Sequence, residues 1–180
     1  MAIPVSPETR QQVEVIKREF PELRVNVRLV HPENLHLTLK FLGDTDEKIV
    51  PAISKTITEI ASKIRRFEYV CEGVGCFPNN RNPRILWLGV TRGFDEIKEL
   101  SGQIEAGLQT FGYLPERRGF QPHLTIGRIK NTQRKIDDLE NFLKYEFIST
   151  INRVENVIFY ESNLTAGGAI YTRLAVFNLK

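Results

Sequence analysis

Two of the three histidines in this 180-residue chain stand in the same tripeptide, His36-Leu37-Thr38 and His123-Leu124-Thr125. Each tripeptide lies in a run that alternates apolar and polar residues, NLHLTLKFL over 34–42 and PHLTIGRIK over 122–130, the pattern of a half-buried strand. Residues two apart on a strand share a face. His36 therefore points the same way as Thr38, and His123 the same way as Thr125, while Leu37, Leu39, Leu124 and Ile126 point into the core. Brought together, the two faces would offer two imidazoles and two hydroxyls. A neutral imidazole can take a proton from a nucleophile, and an imidazolium can give one to a leaving oxygen. The unperturbed histidine pKa of about 6.5 suits both tasks near neutral pH. The hydroxyls can donate to the non-bridging oxygens of a phosphate between them. Such a set can perform in-line chemistry at phosphorus without a metal or a covalent enzyme intermediate.

The two strands belong to an internal repeat. HLTLKFLGDTDEKI begins at His36 and HLTIGRIKNTQRKI begins 87 residues later at His123. Leu39 meets Ile126, Leu42 meets Ile129, Thr45 meets Thr132, and Lys48-Ile49 meets Lys135-Ile136. A strand, a turn and a helix entry thus occur twice, which predicts two similar lobes. A lone strand histidine is most often structural, but two with matching threonines favour a functional reading. His31, before Pro32, reads as a solvated loop residue. A zinc site built from His31, His36 and His123 would lack a nearby Cys, Asp or Glu at ligand spacing. The chain carries no G-x-x-x-x-G-K-[ST] loop, no G-x-G-x-x-G after a strand, no H-E-x-x-H and no C-x-x-C. ATP-driven ligation and zinc-protease chemistry therefore have no motif to rest on.

The elements that must position these strands alternate along the chain. Ser6-Pro7 reads as a helix cap, with Val13, Ile16 and Phe20 as the apolar stripe and Pro21 as the stop. Ile49, Ile53, Ile57, Ile60 and Ile64 predict a second helix, with Pro51 in its first turn. Extended runs at 67–77 and 84–91 flank a turn at 78–83. Phe94, Ile97, Ile104, Leu108 and Phe111 predict a third helix, and Ile136, Leu139, Phe142 and Leu143 a fourth. Strands at 153–160 and 169–178, separated by Gly167-Gly168, close the chain. The class is α+β. Trp87 sits in a continuously apolar strand and reads as core, and Lys40 has the strand parity to face the cleft.

Composition narrows the setting. Hydrophobic residues at 41% and charged residues at 26% fit a soluble globular chain and exclude a disordered or collagen-like one. A net charge of +3 marks no polybasic coat, so any anion site must come from local clustering. Arg117-Arg118, Arg81 and Arg84 are candidates for a basic rim along an RNA backbone. Met1-Ala2-Ile3-Pro4 is not a secretory signal, and no run approaches the ~20 apolar residues of a membrane span. Cys71 and Cys76 have opposite parity if 67–77 is one strand, so they are expected to point apart and stay unbonded, as in a reducing cytoplasm.

The paired His-Leu-Thr-Leu and His-Leu-Thr-Ile resemble the tandem His-x-Thr-x motifs of the 2H (two-histidine) phosphoesterases. More narrowly, the chain is similar to the RNA 2′,3′-cyclic phosphodiesterases, also named 2′-5′ RNA ligases. The similarity runs through Ala2-Ile3-Pro4, residues 32–43, Gly75-Cys76-Phe77-Pro78, residues 83–90, residues 122–128 and Gly168-Ala169-Ile170-Tyr171. It implies one domain over 1–180 with a pseudo-two-fold repeat. Two similar interleaved lobes, carrying 36–39 and 123–126, would hold two antiparallel sheets facing across a cleft, with helices outside. It implies hydrolysis of an RNA terminal 2′,3′-cyclic phosphate to a 2′-phosphate, with reversible, ATP-independent 2′-5′ ligation and no cofactor or metal. His36 and His123 would be the catalytic pair, His36 as acid toward O3′ and His123 as base toward water. Thr38 and Thr125 would donate to the phosphate, Arg128 would clamp it, and Phe41 would stack on the nucleobase. The implied partner is an RNA with a cyclic phosphate end, tRNA halves among the candidates, and the expected state is a cytoplasmic monomer. The alternatives are a 2H relative acting on a small cyclic nucleotide or ADP-ribose cyclic phosphate, and a non-catalytic single-stranded RNA-binding module.

Two departures from the family pattern carry structural expectations. A few residues usually precede the Ala-Ile-Pro block and form most of a strand. Here Met1 leaves that strand almost absent, so either the start is misassigned or an edge is missing. Phe41 and Arg128 each stand five residues after a histidine, where strict alternation aims them away from the cleft. A bulge or a twist must re-aim them, and Gly127 beside Arg128 is a place for one.

Overall fold

The computed structural model describes residues 1–21, 23–115, 119–130, 139–165 and 168–180. The elements run β1 (Ala2–Pro4), α1 (Pro7–Glu19), α2 (Leu23–Asn26), β2 (Val27–Leu29), β3 (His36–Thr38), α3 (Val50–Ala61), β4 (Phe67–Tyr69), β5 (Cys71–Phe77), β6 (Ile85–Val90), α4 (Phe94–Gln109), β7 (His123–Ile129), α5 (Leu139–Phe142), β8 (Asn152–Val154), β9 (Asn156–Thr165) and β10 (Gly168–Asn178). Ser6 caps α1 by accepting from the Thr9 N–H, and the helix ends at Phe20, before Pro21. The predicted isoleucine helix is α3, entered through a 3-10 turn capped by Asp46. The start of the fourth predicted helix lies outside the described residues, which show only its last turn, α5. Among them, no helix is long and apolar enough to cross a membrane.

The α+β class holds, and the sheets are antiparallel. One eight-stranded sheet runs β10-β9-β1-β3-β7-β6-β5 with β2 also on β7, and a two-stranded ribbon pairs β4 with β8. The large sheet has two halves, β10-β9-β1-β3 and β7-β6-β5 with β2. They meet at one register pair, Leu37 opposite Leu124. Both leucines are fully buried, and Leu39 and Ile126 are nearly so, as the alternation predicts. They join residues of α1, α3 and α4 in one core on that face of the sheet. Each such side chain stabilises the fold by about 1.5–3 kcal/mol of apolar burial. The other face is left for the histidines.

Several boundaries differ from the sequence expectation. The strand predicted over 34–42 is only His36–Thr38, because its neighbour β1 is three residues long and a 3-10 turn, Pro32–Asn34, precedes it. Beyond Thr38 the chain turns toward α4, where the Ser101 hydroxyl donates to the Leu39 carbonyl. The first strand is present and central among the described residues, between β3 and β9. The run from 153 splits at Glu155, whose carbonyl accepts from the Leu179 N–H, and β8 pairs with β4 while β9 pairs with β1 and β10. Both α2 and β2 are too short to show a period and were not predicted.

Two β-bulges change which side chains share a face. In β5 the register steps from Cys71 opposite Val90 to Val74 opposite Leu88, so one extra residue is inserted beside Gly73 at φ +71°. Cys71 and Cys76 therefore lie on one face, not two. They are unbonded because they stand four ladder positions apart, about 13 Å, beyond disulfide reach. In β7 the register steps from Thr125 opposite Trp87 to Gly127 opposite Leu86, which makes Ile126 the extra residue. Arg128, opposite Ile85, is thereby turned onto the face of His123 and Thr125.

Gly127 makes this bulge compatible with β2, because a Cβ there would lie 2.6 Å from Val27 Cγ1. Gly127→Ala should destabilise the fold by about 1–3 kcal/mol, the usual range for overpacking a core contact. Urea unfolding measures this, and a loss below about 0.5 kcal/mol would show that β2 yields without strain.

Candidate active site

Antiparallel register brings the two motifs together. With Leu37 opposite Leu124, one step either way sets His36 beside Thr125 and Thr38 beside His123. The four side chains thus form a rectangle in which like residues occupy opposite corners. Directly opposite Cβ atoms lie about 4.5–5.5 Å apart and diagonal ones about 7–8 Å. The two imidazoles are therefore separated by a diagonal wide enough to flank one tetrahedral group. All four residues line a single cavity of about 440 Å³, together with Phe41, Phe77, Arg128 and Tyr171.

The rings are oriented in matching ways. His36 Nδ1 lies 2.8 Å from the Asn34 carbonyl oxygen, and His123 Nδ1 lies 2.8 Å from that of Gln121. A carbonyl only accepts, so Nδ1–H is the donor in both and Nε2 is the bare nitrogen of each neutral ring. Asn34 is itself tied to β10 by its side-chain N–H donating to the Ala169 carbonyl at 3.0 Å. Aromatic rings close around each imidazole. Tyr171 stands edge-on to His36 at 4.8 Å with Tyr160 at 5.6 Å, and Phe77 stands edge-on to His123 at 5.0 Å. Burial among these rings pushes the His36 pKa down to about 4, the Asn34 carbonyl opposes that, and the Arg128 charge adds to it. His123 is shifted the same way, first by burial and also by Arg128.

The other predicted residues fall on both sides of expectation. Arg128 and Phe41 both line the cavity, Arg128 by way of the bulge at Ile126 and Phe41 from the turn after β3, where it is 65% exposed. Lys40 does not face the cleft. It is buried against α4, where its ammonium donates to Glu105 and to the Leu114 carbonyl. Trp87 is not core: its partner in the register is Thr125, so it lies on the cleft face, over Gly75 and 5.1 Å from Phe77. Arg81 and Arg84 are exposed around the β5–β6 turn and do not line the cavity, and Arg117-Arg118 lie outside the described residues. His31 is exposed and caps the 3-10 turn. Tyr160, Tyr171 and Phe77 were not singled out from the sequence. With Tyr160 opposite Arg173, two residues from Tyr171, the register puts both tyrosines on one face of β9 and β10, and nothing local in the sequence said that this face met His36.

The chain is similar to known proteins over nearly its whole length. The family model described as LigT like phosphoesterase matches residues 3–87 and again 88–171. A protein named RNA 2′,3′-cyclic phosphodiesterase from Aquifex aeolicus is 33% identical over 97% of this chain and 93% of its own length. One of the same name from Methanothermobacter thermautotrophicus is 33% identical over 99% and 97%. Among solved structures, a protein of Thermus thermophilus superposes with a TM-score of 0.84 at 24% identity, covering 99% of this chain and 95% of its own. E. coli LigT complexed with 3′-AMP gives 0.77 at 24% identity, with the same coverage. These two share the fold.

The histidine environment makes stability depend on pH. An unfolded histidine titrates near 6.5 and folded His36 near 4, so between those values the unfolded chain holds more protons. Stability is complete above about pH 6.5 and is lost as pH falls toward 4, by on the order of 2–3 kcal/mol from this ring. His36→Asn should flatten that part of the profile. Equal losses in wild type and variant between pH 7 and 4.5, by urea unfolding, would show that His36 is not held neutral by burial.

Proposed function

This chain belongs to the LigT-like phosphoesterase family, whose model covers both of its halves, and from that premise we propose that it hydrolyses the terminal 2′,3′-cyclic phosphate of RNA to a 2′-phosphate. The observation that carries the reading is the rectangle, with imidazoles on one diagonal and hydroxyls on the other. In-line displacement at phosphorus needs a base behind the nucleophile and an acid behind the leaving oxygen, on opposite sides of one atom. The diagonal supplies that separation. The hydroxyls of Thr38 and Thr125 can donate to the non-bridging oxygens from the other two corners. The names of the Aquifex and Methanothermobacter relatives supply the substrate class.

In this mechanism His123 Nε2 takes a proton from water as the water oxygen bonds to phosphorus. The P–O3′ bond breaks, and His36 gives its Nε2 proton to O3′. The bound product is the 2′-phosphomonoester with a free 3′-hydroxyl. His36 must enter this step protonated although its burial disfavours the charge. The anionic phosphate corrects that, because a negative group beside a buried imidazole raises its pKa. Arg128 adds positive charge on the same face, to hold the phosphate as charge grows on its oxygens. An RNA 5′-hydroxyl in the place of water would give a 2′-5′ phosphodiester by the same displacement, driven by relief of ring strain and independent of ATP. Phe41 offers an exposed ring for the terminal base.

Product analysis tests this on a short RNA ending in a 2′,3′-cyclic phosphate, with excess EDTA present. The expected product is a 2′-phosphate, lost in His36→Ala and His123→Ala. Thr38→Ala or Thr125→Ala should cost on the order of 2–4 kcal/mol in transition-state stabilisation. A bell-shaped pH dependence of kcat/KM is expected for an acid and base pair. A 3′-phosphate would exchange the leaving oxygen, and near-normal turnover in either histidine variant would break the assignment of the pair.

A further inference from the structure

The cleft does not end at the histidines. Arg28 on β2 stands directly opposite Arg128 on β7. Directly opposite residues share a face, so Arg28 joins the face of His123 and Thr125. Both arginines are exposed, and among the described residues neither forms an ion pair. Like charges directly opposite one another weaken a strand pair. The near acidic group does not relieve them, since Glu14 is paired with Lys17. The two arginines and Lys17 line a second cavity of about 480 Å³, which shares Val30, Asn34, Arg128 and Tyr171 with the histidine cavity. Phe41 and Phe77 line only the histidine cavity, so the second one opens on the other side of Arg128.

We propose that Arg28 and Arg128 together bind a second phosphate, the internucleotide phosphodiester joining the terminal nucleotide of the RNA to its neighbour. This rests on the hydrolytic reading above and extends it from a cyclic phosphate to an oligonucleotide end. Two planar guanidinium groups side by side can each give paired N–H donors to the non-bridging oxygens of one phosphodiester. Its charge removes the repulsion between them. Arg128 then serves two phosphates, one in each cavity. Each cavity is of a size that holds one small ligand, and the shared wall makes them neighbouring subsites of one strand.

Four substrates with the same 3′ base decide the matter: a nucleoside 2′,3′-cyclic phosphate, the same compound with a 5′-phosphate, a dinucleotide, and that dinucleotide with a neutral methylphosphonate linkage. The dinucleotide should exceed the nucleoside in kcat/KM by tenfold or more, and the methylphosphonate should lose most of that gain. In Arg28→Gln the dinucleotide-to-nucleoside ratio should fall below about threefold. The salt dependence of its dinucleotide kcat/KM should be shallower by about 0.7 in log–log slope, one phosphate contact on a single strand. Equal turnover of nucleoside and dinucleotide overturns the proposal. So does a variant that slows both by the same factor, or a 5′-phosphate that gains nothing over the nucleoside. No turnover of any substrate by the wild-type protein overturns the hydrolytic reading and this subsite with it, an outcome distinct from turnover without preference.

Discussion

Leu37 and Leu124 face each other across β3 and β7, both fully buried, and the placement of the site follows from that contact. A slip of one residue would turn the histidines into the core and the leucines into the cleft, because strand side chains alternate with a period of two. A slip of two would preserve the faces but set the two histidines, or the two threonines, opposite each other and leave the other pair unmatched. The register is held from the core side, by the leucines and by the packing of α1, α3 and α4 beneath them.

That division sets up an electrostatic conflict that, in the proposed reaction, a bound phosphate would resolve. Aromatic rings and buried walls lower the proton affinity of both imidazoles, and Arg128 lowers it further. In the proposed reaction, the charge that His36 needs as acid would be restored by the anionic phosphate. An unliganded cleft with a charged imidazolium would compete with the fold for desolvation. A neutral pair with fixed tautomers stores the geometry without the charge. The carbonyls of Asn34 and Gln121 do this by the same contact, two residues before each histidine, which is the local counterpart of the sequence repeat.

Much of this was legible in the residues. The His-x-Thr alternation gave both the cleft face and the four buried side chains beneath it. The five-residue spacing to Arg128 demanded a bulge or a twist near Gly127, and the register places a bulge at Ile126. The same rule misled where a second bulge intervened: the parity of Cys71 and Cys76 was inverted by one inserted residue near Gly73. Lys40 followed strand parity past the point where β3 stops and the chain turns to α4. Trp87 read as core because its strand is apolar throughout, although one side of it faces the cleft. The flanking tyrosines were illegible for another reason, since they reach His36 from strands more than a hundred residues away, a pairing that no local pattern encodes.

Those distant pairings have a consequence for how the protein comes into being. The strand of His36 is walled by β9 and β10, from the end of the chain, while that of His123 is walled by β5 and β6, from before it. Each motif thus borrows its surroundings from the opposite half of the sequence. During synthesis the ribosome releases His36 more than a hundred residues before the tyrosines beside it and the Ala169 carbonyl that anchors its loop. A nascent chain carries both histidine strands well before it carries the walls around the first, so the chamber around His36 closes only once β9 and β10 have been made.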